Sequence, residues 1–230
     1  MIAVDLGVIS YDEGLHIQEA LHAARTQDTA EDVLLLLEHD PVITFGKSGH
    51  EEDLLLSERE LAAKDISVRH VNRGGKITCH YPGQLVVYPI MRLNEQQLDL
   101  PRFVYNIEET IILTLRAFDV AAVRVDKLRG IWVEDRKIAA IGIEVRQGVT
   151  MHGFAMNILD DLRLYRFFIP CGIADRGVTS LVHHLAGNAQ IEMKTVKDAV
   201  VRNFSAVFGV PVNAHLSREE FQRRYPQIMN

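Results

Sequence analysis

The chain has 230 residues, of which 47% are apolar and 24% are charged, and its formal net charge is −6. This balance excludes wholesale disorder, and the length allows a single domain over residues 1–230. No apolar run approaches the roughly 18 residues of a membrane span, and the N-terminus lacks the basic start of a secretory signal. Because the only cysteines are Cys79 and Cys171, a disulfide framework is excluded, and we expect a cytoplasmic protein.

The first half of the chain alternates predicted helices and strands. Apolar residues at helical spacing predict a helix over 17–24, and an apolar run predicts a strand over 32–38. Ser57 and Glu60 fit the capping box that starts a helix. A second strand is predicted over 84–91, followed by a long helix over 104–118 with Pro101 in its first turn.

The second half is richer in strands. Apolar runs predict strands over 131–134, 137–145 and 149–157, the first two joined as a hairpin that turns at 134–136. A helix is predicted over 193–207, and Ser217 with Glu220 fits a second capping box. Since strands occupy the middle and helices flank them, the sequence predicts an α/β (α+β) fold: a single domain with a mixed β-sheet flanked by helices.

The segment 73–84, RGGKITCHYPGQ, concentrates polar groups around paired glycines. Such glycines let the backbone approach a ligand or present its N–H groups to an anion or a carbonyl. A Gly-rich turn that merely enters the strand at Gln84, with a solvated Arg73, is the alternative interpretation.

Lys137 opens the strand KIAAIG. Strict alternation places it on one apolar face with Ala139, Ile141, Ile143 and Val145. A lysine on a buried face loses hydration, which disfavours its ammonium form and makes it a usable proton acceptor. The alternative is that Lys137, beside the turn, extends to water.

Cys171 lies between Pro170 and Gly172, a context that favours a presented nucleophile over a packed core thiol. Cys79 is the competing candidate, although a small core residue is the default for both. No histidine stands at metal-ligand spacing with a cysteine pair, so we expect no metal site. His152 is interpreted as either lining a cleft or forming part of the core.

Four segments in register, RGGKITCHYPGQLVVYPI, GIWVEDRKIAAIGIEV, GVTMHGFAMNI and IPCGIADRGVTSL, resemble the octanoyltransferases of lipoate biosynthesis. The resemblance implies a fold related to biotin and lipoate protein ligases and no cofactor. It also implies transfer of an octanoyl group from octanoyl-acyl carrier protein, through a thioester on Cys171, to a lysine of lipoyl domains. Those domains belong to 2-oxoacid dehydrogenases and glycine cleavage proteins. Lys137 would lower the pKa of the thiol and act as acid and base.

The same resemblance implies a substrate-binding wall built from three segments. Its residues are Arg73, Gly74, Gly75, Lys76, Ile77, Thr78, Cys79, His80, Ala140, Ile141, Gly142, Gly153, Phe154 and Ala155, with His152 as a further candidate. The family usually has a glycine where this chain has Tyr81. A tyrosine there is expected to restrict the loop or intrude on nearby space, with an effect on chain-length preference.

Two other functions are compatible with these residues. An ATP-dependent lipoate or biotin protein ligase would share the RGG segment and the strand lysine but would need no cysteine. A non-catalytic acyl-binding module would use neither Lys137 nor Cys171 chemically.

Six basic residues are predicted to steer an acidic carrier protein, although the net charge of the chain is negative. They are Arg73, Lys76, Arg124, Lys127, Arg129 and Arg136. We expect a monomer that binds neither nucleic acid nor membranes.

Overall fold

The computed structural model describes residues 1–93, 98–159, 161–169, 176–186 and 190–229. Within these ranges the strands are β1 Ile2–Ile9, β2 Val33–His39, β3 Val42–Phe45, β4 Ser67–His70, β5 Ile77–His80, β6 Gln84–Ile90, β7 Val123–Val125, β8 Leu128–Val133, β9 Arg136–Arg146, β10 Val149–Asn157 and β11 Ala214–Ser217. The helices are α1 Tyr11–Thr26, α2 Glu58–Ala62, α3 Leu100–Arg116, α4 Met193–Phe208, α5 Arg218–Arg224 and α6 Pro226–Met229.

The main sheet has the strand order β11-β1-β2-β6-β10-β9-β8-β7. It is mixed, because β1 runs parallel to both β2 and β11 whereas the pairs from β2 to β7 are antiparallel. Both of its faces are apolar and covered by helices. One core contains α3 and α4, and the other contains α1, α5 and α6. The predicted α/β fold with a mixed, helix-flanked sheet is confirmed.

A small sheet, β4-β3-β5, stands beside the main one and has its own core. The sequence analysis did not predict it, because its strands are only four residues long and β5 lies inside the Gly-rich segment. Ile43, Phe45, Ile77 and Cys79 project into this core, where they meet Phe168. The small sheet thereby carries one wall of the cleft described below.

The predicted helix starts are confirmed by their caps. Ser57 and Ser217 each accept the backbone N–H of a glutamate three residues on, and each glutamate accepts the serine N–H in return. At α3, Asp99 accepts the N–H of Arg102, and Pro101 occupies the first turn, where a missing N–H costs nothing. These local signals fix where the helices that cover the sheet begin.

The predicted facing of Lys137 is wrong. Ile131 pairs with Ala139 but Trp132 pairs with Lys137, so Ile138 is an extra residue on β9. Such a bulge breaks the alternation of side chains, and Ile138 and Ala139 both face the α3–α4 core. Lys137 consequently lies on the opposite face of the sheet, half-buried, with Ala140 and Gly142.

No helix within the described ranges is long and apolar enough to cross a membrane.

Candidate active site

A cleft, here called the main cavity, opens between β9, β10, β6 and the small sheet. The described residues that line it are Tyr11, Arg73, Gly75, Lys76, Ile77, Thr78, His80, Val86, Tyr88, Arg129, Lys137, Ala140, Ile141, Gly142, His152, Gly153, Phe154 and Ala155. Buried aromatic and histidine side chains form its inner end, and the half-buried Lys76 and Lys137 and the exposed Arg129 form its mouth.

Most of the predicted wall residues therefore meet in one cavity. Two do not line it. Cys79 points into the core of the small sheet because side chains alternate along β5, and burial raises the pKa of its thiol. Gly74 packs behind the wall, where its N–H donates to the Ile143 carbonyl at 3.1 Å. Cys171, with the rest of 170–175, lies outside the described residues.

Three lining residues were not predicted: Tyr11, Val86 and Tyr88. Tyr11 starts α1, more than 60 positions before the Gly-rich segment, and only tertiary packing brings it to the cleft. Val86 and Tyr88 stand two positions apart on β6, so the alternation of a strand already places them on one face. That alternation is the signal that could have found them.

Arg73 forms a buried part of the wall. Its guanidinium donates to the carbonyl and the hydroxyl of Thr44, at 2.6 and 2.8 Å from Nη2. Glycines let its segment pack closely. A Cβ on Gly142 would approach the Gly74 carbonyl to 2.9 Å and Arg73 Cδ to 3.0 Å, and Gly75 adopts a φ of +89°. The small residues of KIAAIG thus leave room for the Gly-rich backbone as well as for the cavity.

His39 fixes the hydrogen bonding of Tyr88 at the inner end of the main cavity. The Nδ1 of His39 lies 3.0 Å from the Ile9 carbonyl, which can only accept, so Nδ1 carries the proton. Its Nε2 therefore accepts from the Tyr88 hydroxyl at 2.9 Å. Burial lowers the pKa of His39 to about 4, which keeps the ring neutral.

A chain of side-chain amides fixes His80 in the same way. Asn157 Nδ2 donates to the Thr179 carbonyl at 2.9 Å, so its Oδ1 must accept, and it does so from Gln84 Nε2 at 3.0 Å. Gln84 Oε1 then accepts from His80 Nδ1 at 2.8 Å. The Nε2 of His80 is left with its lone pair and makes no hydrogen bond among the described residues. Burial holds the pKa of His80 well below its ordinary value.

His152 is strained, with a φ of +58° that non-glycine residues rarely adopt. Its backbone N–H leaves the sheet ladder and donates to Gln18 Oε1 on α1 at 2.7 Å. Its ring is buried, and Nδ1 has no hydrogen-bond partner among the described residues. Burial and then the charge of Arg73 lower the pKa of His152 to about 4. His152 thus lines the cleft, as one of its two interpretations predicted.

Three buried neutral histidines imply a specific pH dependence of stability. All three titrate near pH 6.5 when unfolded. Burial lowers the pKa of His39 and His152 to about 4 and holds that of His80 well below 6.5, so the unfolded chain binds more protons below about pH 6.5. Stability is fully present above pH 6.5 and falls as the pH drops. We expect a loss of about 1 kcal/mol per histidine between pH 7.5 and 5.5.

Urea unfolding at the two pH values measures this loss. The His39→Phe variant, which keeps a ring but cannot titrate, should lose about a third of the pH dependence. The exposed His50→Gln variant serves as the control. Equal unfolding free energies at both pH values would contradict the neutral state of these rings.

Lys137 stands where the main cavity joins a side cavity. The side cavity is lined by Ile77, Thr78, Trp132, Lys137, Ala140, Tyr165, Phe168, Arg176, Gly177 and Val178. The ammonium of Lys137 lies 5.0 Å from the centre of the Trp132 ring, and Arg176 lies 5.6 Å from the same ring. Gly130 adjoins the lysine stem: a Cβ there would touch Lys137 Cε at 3.4 Å, although its clash would be with the Ala139 carbonyl oxygen at 2.5 Å.

The backbone of Lys137 is held by the segment 177–179. Lys137 N–H donates to the Gly177 carbonyl, and Thr179 N–H donates to the Lys137 carbonyl, each at 3.0 Å. Only Arg176 separates this segment from the undescribed residues 170–175. Phe168 and Arg176, which flank those residues, both line the side cavity with Lys137.

The cavity linings carry cations and, among the described residues, no carboxylates. The predicted basic cluster is nevertheless only partly available. Arg124 is paired with Glu108 at 2.9 Å and with Glu109 at 2.8 Å, and Arg73 is buried against Thr44. Of the predicted cluster, Lys76 and Arg129 remain at the mouth.

Tyr81 occupies the core of the small sheet and is not among the described residues that line either cavity. Its hydroxyl donates to Asn157 Oδ1 at 3.0 Å, and its ring packs edge-on against Tyr165. The position does not require a positive φ, unlike Gly83 at +98°. The expected intrusion of Tyr81 on the binding space is therefore wrong, because the ring points away from it.

Comparison with known proteins gives matches over most of the chain. The lipoyl protein ligase A/B catalytic domain matches residues 10–205. An octanoyltransferase of Caldicellulosiruptor saccharolyticus is 42% identical over 94% of this chain and 92% of its own length. That of Caldicellulosiruptor bescii is 45% identical over 90% and 91%, respectively.

Solved structures share the fold at low sequence identity. Lipoate-protein ligase A bound with ATP superposes with a TM-score of 0.78 at 16% identity, over 99% of this chain and 93% of that chain. The biotin protein ligase from Aquifex aeolicus, in complex with biotin and ATP, gives 0.55 at 14% identity, over 90% and 70%. With family match, identity and coverage taken together, the chain belongs to the octanoyltransferases, within the family of lipoyl protein ligase A/B catalytic domains.

Proposed function

We propose that this single domain transfers an octanoyl group from octanoyl-acyl carrier protein to a lysine of lipoyl domains, through a thioester on Cys171. The observation that carries the proposal is the position of Lys137 at the junction of the two cavities, beside the segment that follows Cys171 in sequence. The choice of octanoyl as the acyl group, and of acyl transfer as the reaction, rests on octanoyltransferase relatives that are over 40% identical to this chain.

The flanks of the undescribed segment support a meeting of Cys171 with Lys137. Cys171 follows Phe168 by three positions and precedes Arg176 by five, and both flanking residues line the side cavity with Lys137. Because a chain spans at most about 3.6 Å per residue, a connection of three residues from Phe168 reaches at most about 11 Å. We infer that the thiol meets the lysine across the side cavity.

The proposed reaction balances with one mobile proton. In the resting pair Cys171 is a thiolate and Lys137 an ammonium, and the thiolate attacks the donor thioester carbonyl. The carbon–sulfur bond to the carrier breaks, and the leaving thiolate takes the proton from Lys137. The acceptor lysine amine then attacks the acyl-enzyme, its proton passes to Lys137, and Cys171 leaves as the thiolate.

The acyl chain would occupy the main cavity, with its carbonyl at the mouth. The inner walls contribute Val86, Phe154 and Ala155 as apolar contacts. The cations Lys76 and Arg129 at the mouth, together with Arg176 of the side cavity, suit an anionic carrier such as acyl carrier protein or an acidic lipoyl domain.

Intact-mass analysis after mixing with octanoyl-acyl carrier protein tests the proposal. We expect one added octanoyl group, which is lost in Cys171→Ala and kept in Cys79→Ala, because Cys79 is buried in the small-sheet core. An adduct on Cys79, or no adduct on any residue, would refute the thioester route. Acylation that requires free octanoate and ATP would instead indicate the ligase alternative.

A further inference from the structure

Beyond the residues that touch the cavities, the end of β10 carries a buried amide with an unusual set of contacts. β10 pairs with β9 as far as Met156 and Ala139. Past that point the segment 177–179 takes over as the neighbour of β9, through the two hydrogen bonds with Lys137. Asn157, the last residue of β10, stands at this change of partner.

The Asn157 carboxamide bridges the two neighbours of β9. Its Nδ2 donates to the Thr179 carbonyl at 2.9 Å, while Thr179 N–H donates to the Lys137 carbonyl at 3.0 Å. Two backbone bonds alone make a marginal ladder, so a third, side-chain bond matters to the placement of this segment. Asn157 is 2% exposed, which leaves water little access to the bridge.

The amide can bridge in one orientation only. Its Oδ1 accepts from three donors, namely Gln84 Nε2 at 3.0 Å, the Tyr81 hydroxyl at 3.0 Å and the Tyr165 hydroxyl at 3.2 Å. A flipped amide would aim Nδ2 at these donors and Oδ1 at the Thr179 carbonyl. The surrounding groups therefore hold the donor on the Thr179 side.

We propose that Asn157 is a positioning residue, whose carboxamide holds the 177–179 segment against Lys137 and so aligns the lysine for acyl transfer. This inference rests on the proposed function, since alignment matters only if Lys137 takes part in the chemistry. Small misplacements of a reacting group cost large factors in rate.

The Asn157→Asp variant removes this one bond selectively. Aspartate has the same shape and still accepts from Gln84, Tyr81 and Tyr165, but it has no donor for the Thr179 carbonyl. We expect kcat for octanoyl transfer to fall by roughly 10- to 100-fold, with KM changed far less. Hydrogen exchange of the Thr179 amide, followed by NMR, should accelerate because that amide bonds to Lys137.

Two further variants secure the interpretation. Tyr81→Phe removes one donor to Oδ1 and leaves the bridge, so its kcat and the Thr179 exchange rate should stay within about threefold of those of the original chain. Asn157→Ser, which carries no buried charge and cannot reach Thr179, should reproduce the effects of Asn157→Asp.

The outcomes separate this inference from the proposed function. If the unaltered chain fails to transfer octanoyl groups, the proposed function fails, and the exchange rate of the Thr179 amide still reports whether Asn157 holds the segment. If transfer occurs but both Asn157 variants keep kcat and Thr179 protection within about twofold, Asn157 does not position Lys137, and the inference is overturned.

Discussion

Replacing Lys137 with methionine should slow octanoyl transfer by roughly 10²- to 10⁴-fold, the range in which a positioned acid–base group contributes. Methionine retains an unbranched stem beside Gly130 but carries no proton and no charge. Without the ammonium, Cys171 loses the partner proposed to favour its thiolate. Single-turnover transfer from octanoyl-acyl carrier protein measures the chemical loss, and iodoacetamide alkylation at neutral pH, which should also slow, measures the thiolate.

A matched control comes from Lys64, an exposed lysine after α2 that lines neither cavity. Lys64→Met changes the net charge equally and should leave transfer and alkylation within about twofold. If Lys137→Met alkylates at the rate of the original chain, Lys137 does not lower the pKa of the thiol. If it also transfers at that rate, Lys137 is not the acid–base group.

Gly153→Ala should destabilise the fold by about 3 kcal/mol or more, because an added Cβ finds no space. It would lie 2.0 Å from the Val87 carbonyl oxygen and 2.8 Å from Pro89 Cδ. Both belong to β6, the neighbouring strand in the centre of the sheet, so relief requires the two backbones to separate. Urea unfolding followed by circular dichroism gives the loss directly.

Gly177→Ala provides the comparison for stability. A Cβ at Gly177 would meet Arg136 at 3.7 Å, an ordinary contact with the stem of a flexible side chain. We expect an unfolding free energy within about 0.5 kcal/mol of that of the original chain. A similarly small change in Gly153→Ala would show that β6 and β10 are not so closely packed.

The sequence was sufficient for elements with long apolar periodicity or paired caps. β2, β6, β10, α3 and α4 were predicted within a few residues, since each pattern is local. The short strands of the small sheet were not predicted, because four residues carry too little periodicity. The same limit hides the bulge at Ile138, where one inserted residue moves Lys137 to the other face.

For the site, motif resemblance grouped residues that lie far apart in sequence. It could not distinguish the residues that line the cavity from those that pack in the core behind it. Cys79 and His80 are adjacent, yet β5 aims one at the small-sheet core and the other at the main cavity. The contribution of Tyr11 depends on how α1 packs across the sheet, which no local pattern specifies. Tyr81 likewise needed a tertiary partner, Asn157, before its direction could be known.

Trp132 is the chain's one tryptophan, and the cations of Lys137 and Arg176 lie 5.0 and 5.6 Å from its ring centre. Its emission therefore reports a single, defined location in the wall of the side cavity, beside Lys137. A bound chain, an acylated thiol or a docked carrier would each alter the field or the hydration around this ring. Stopped-flow fluorescence can thus follow the separate steps of a turnover without any label, and Trp132→Phe gives the optically silent reference.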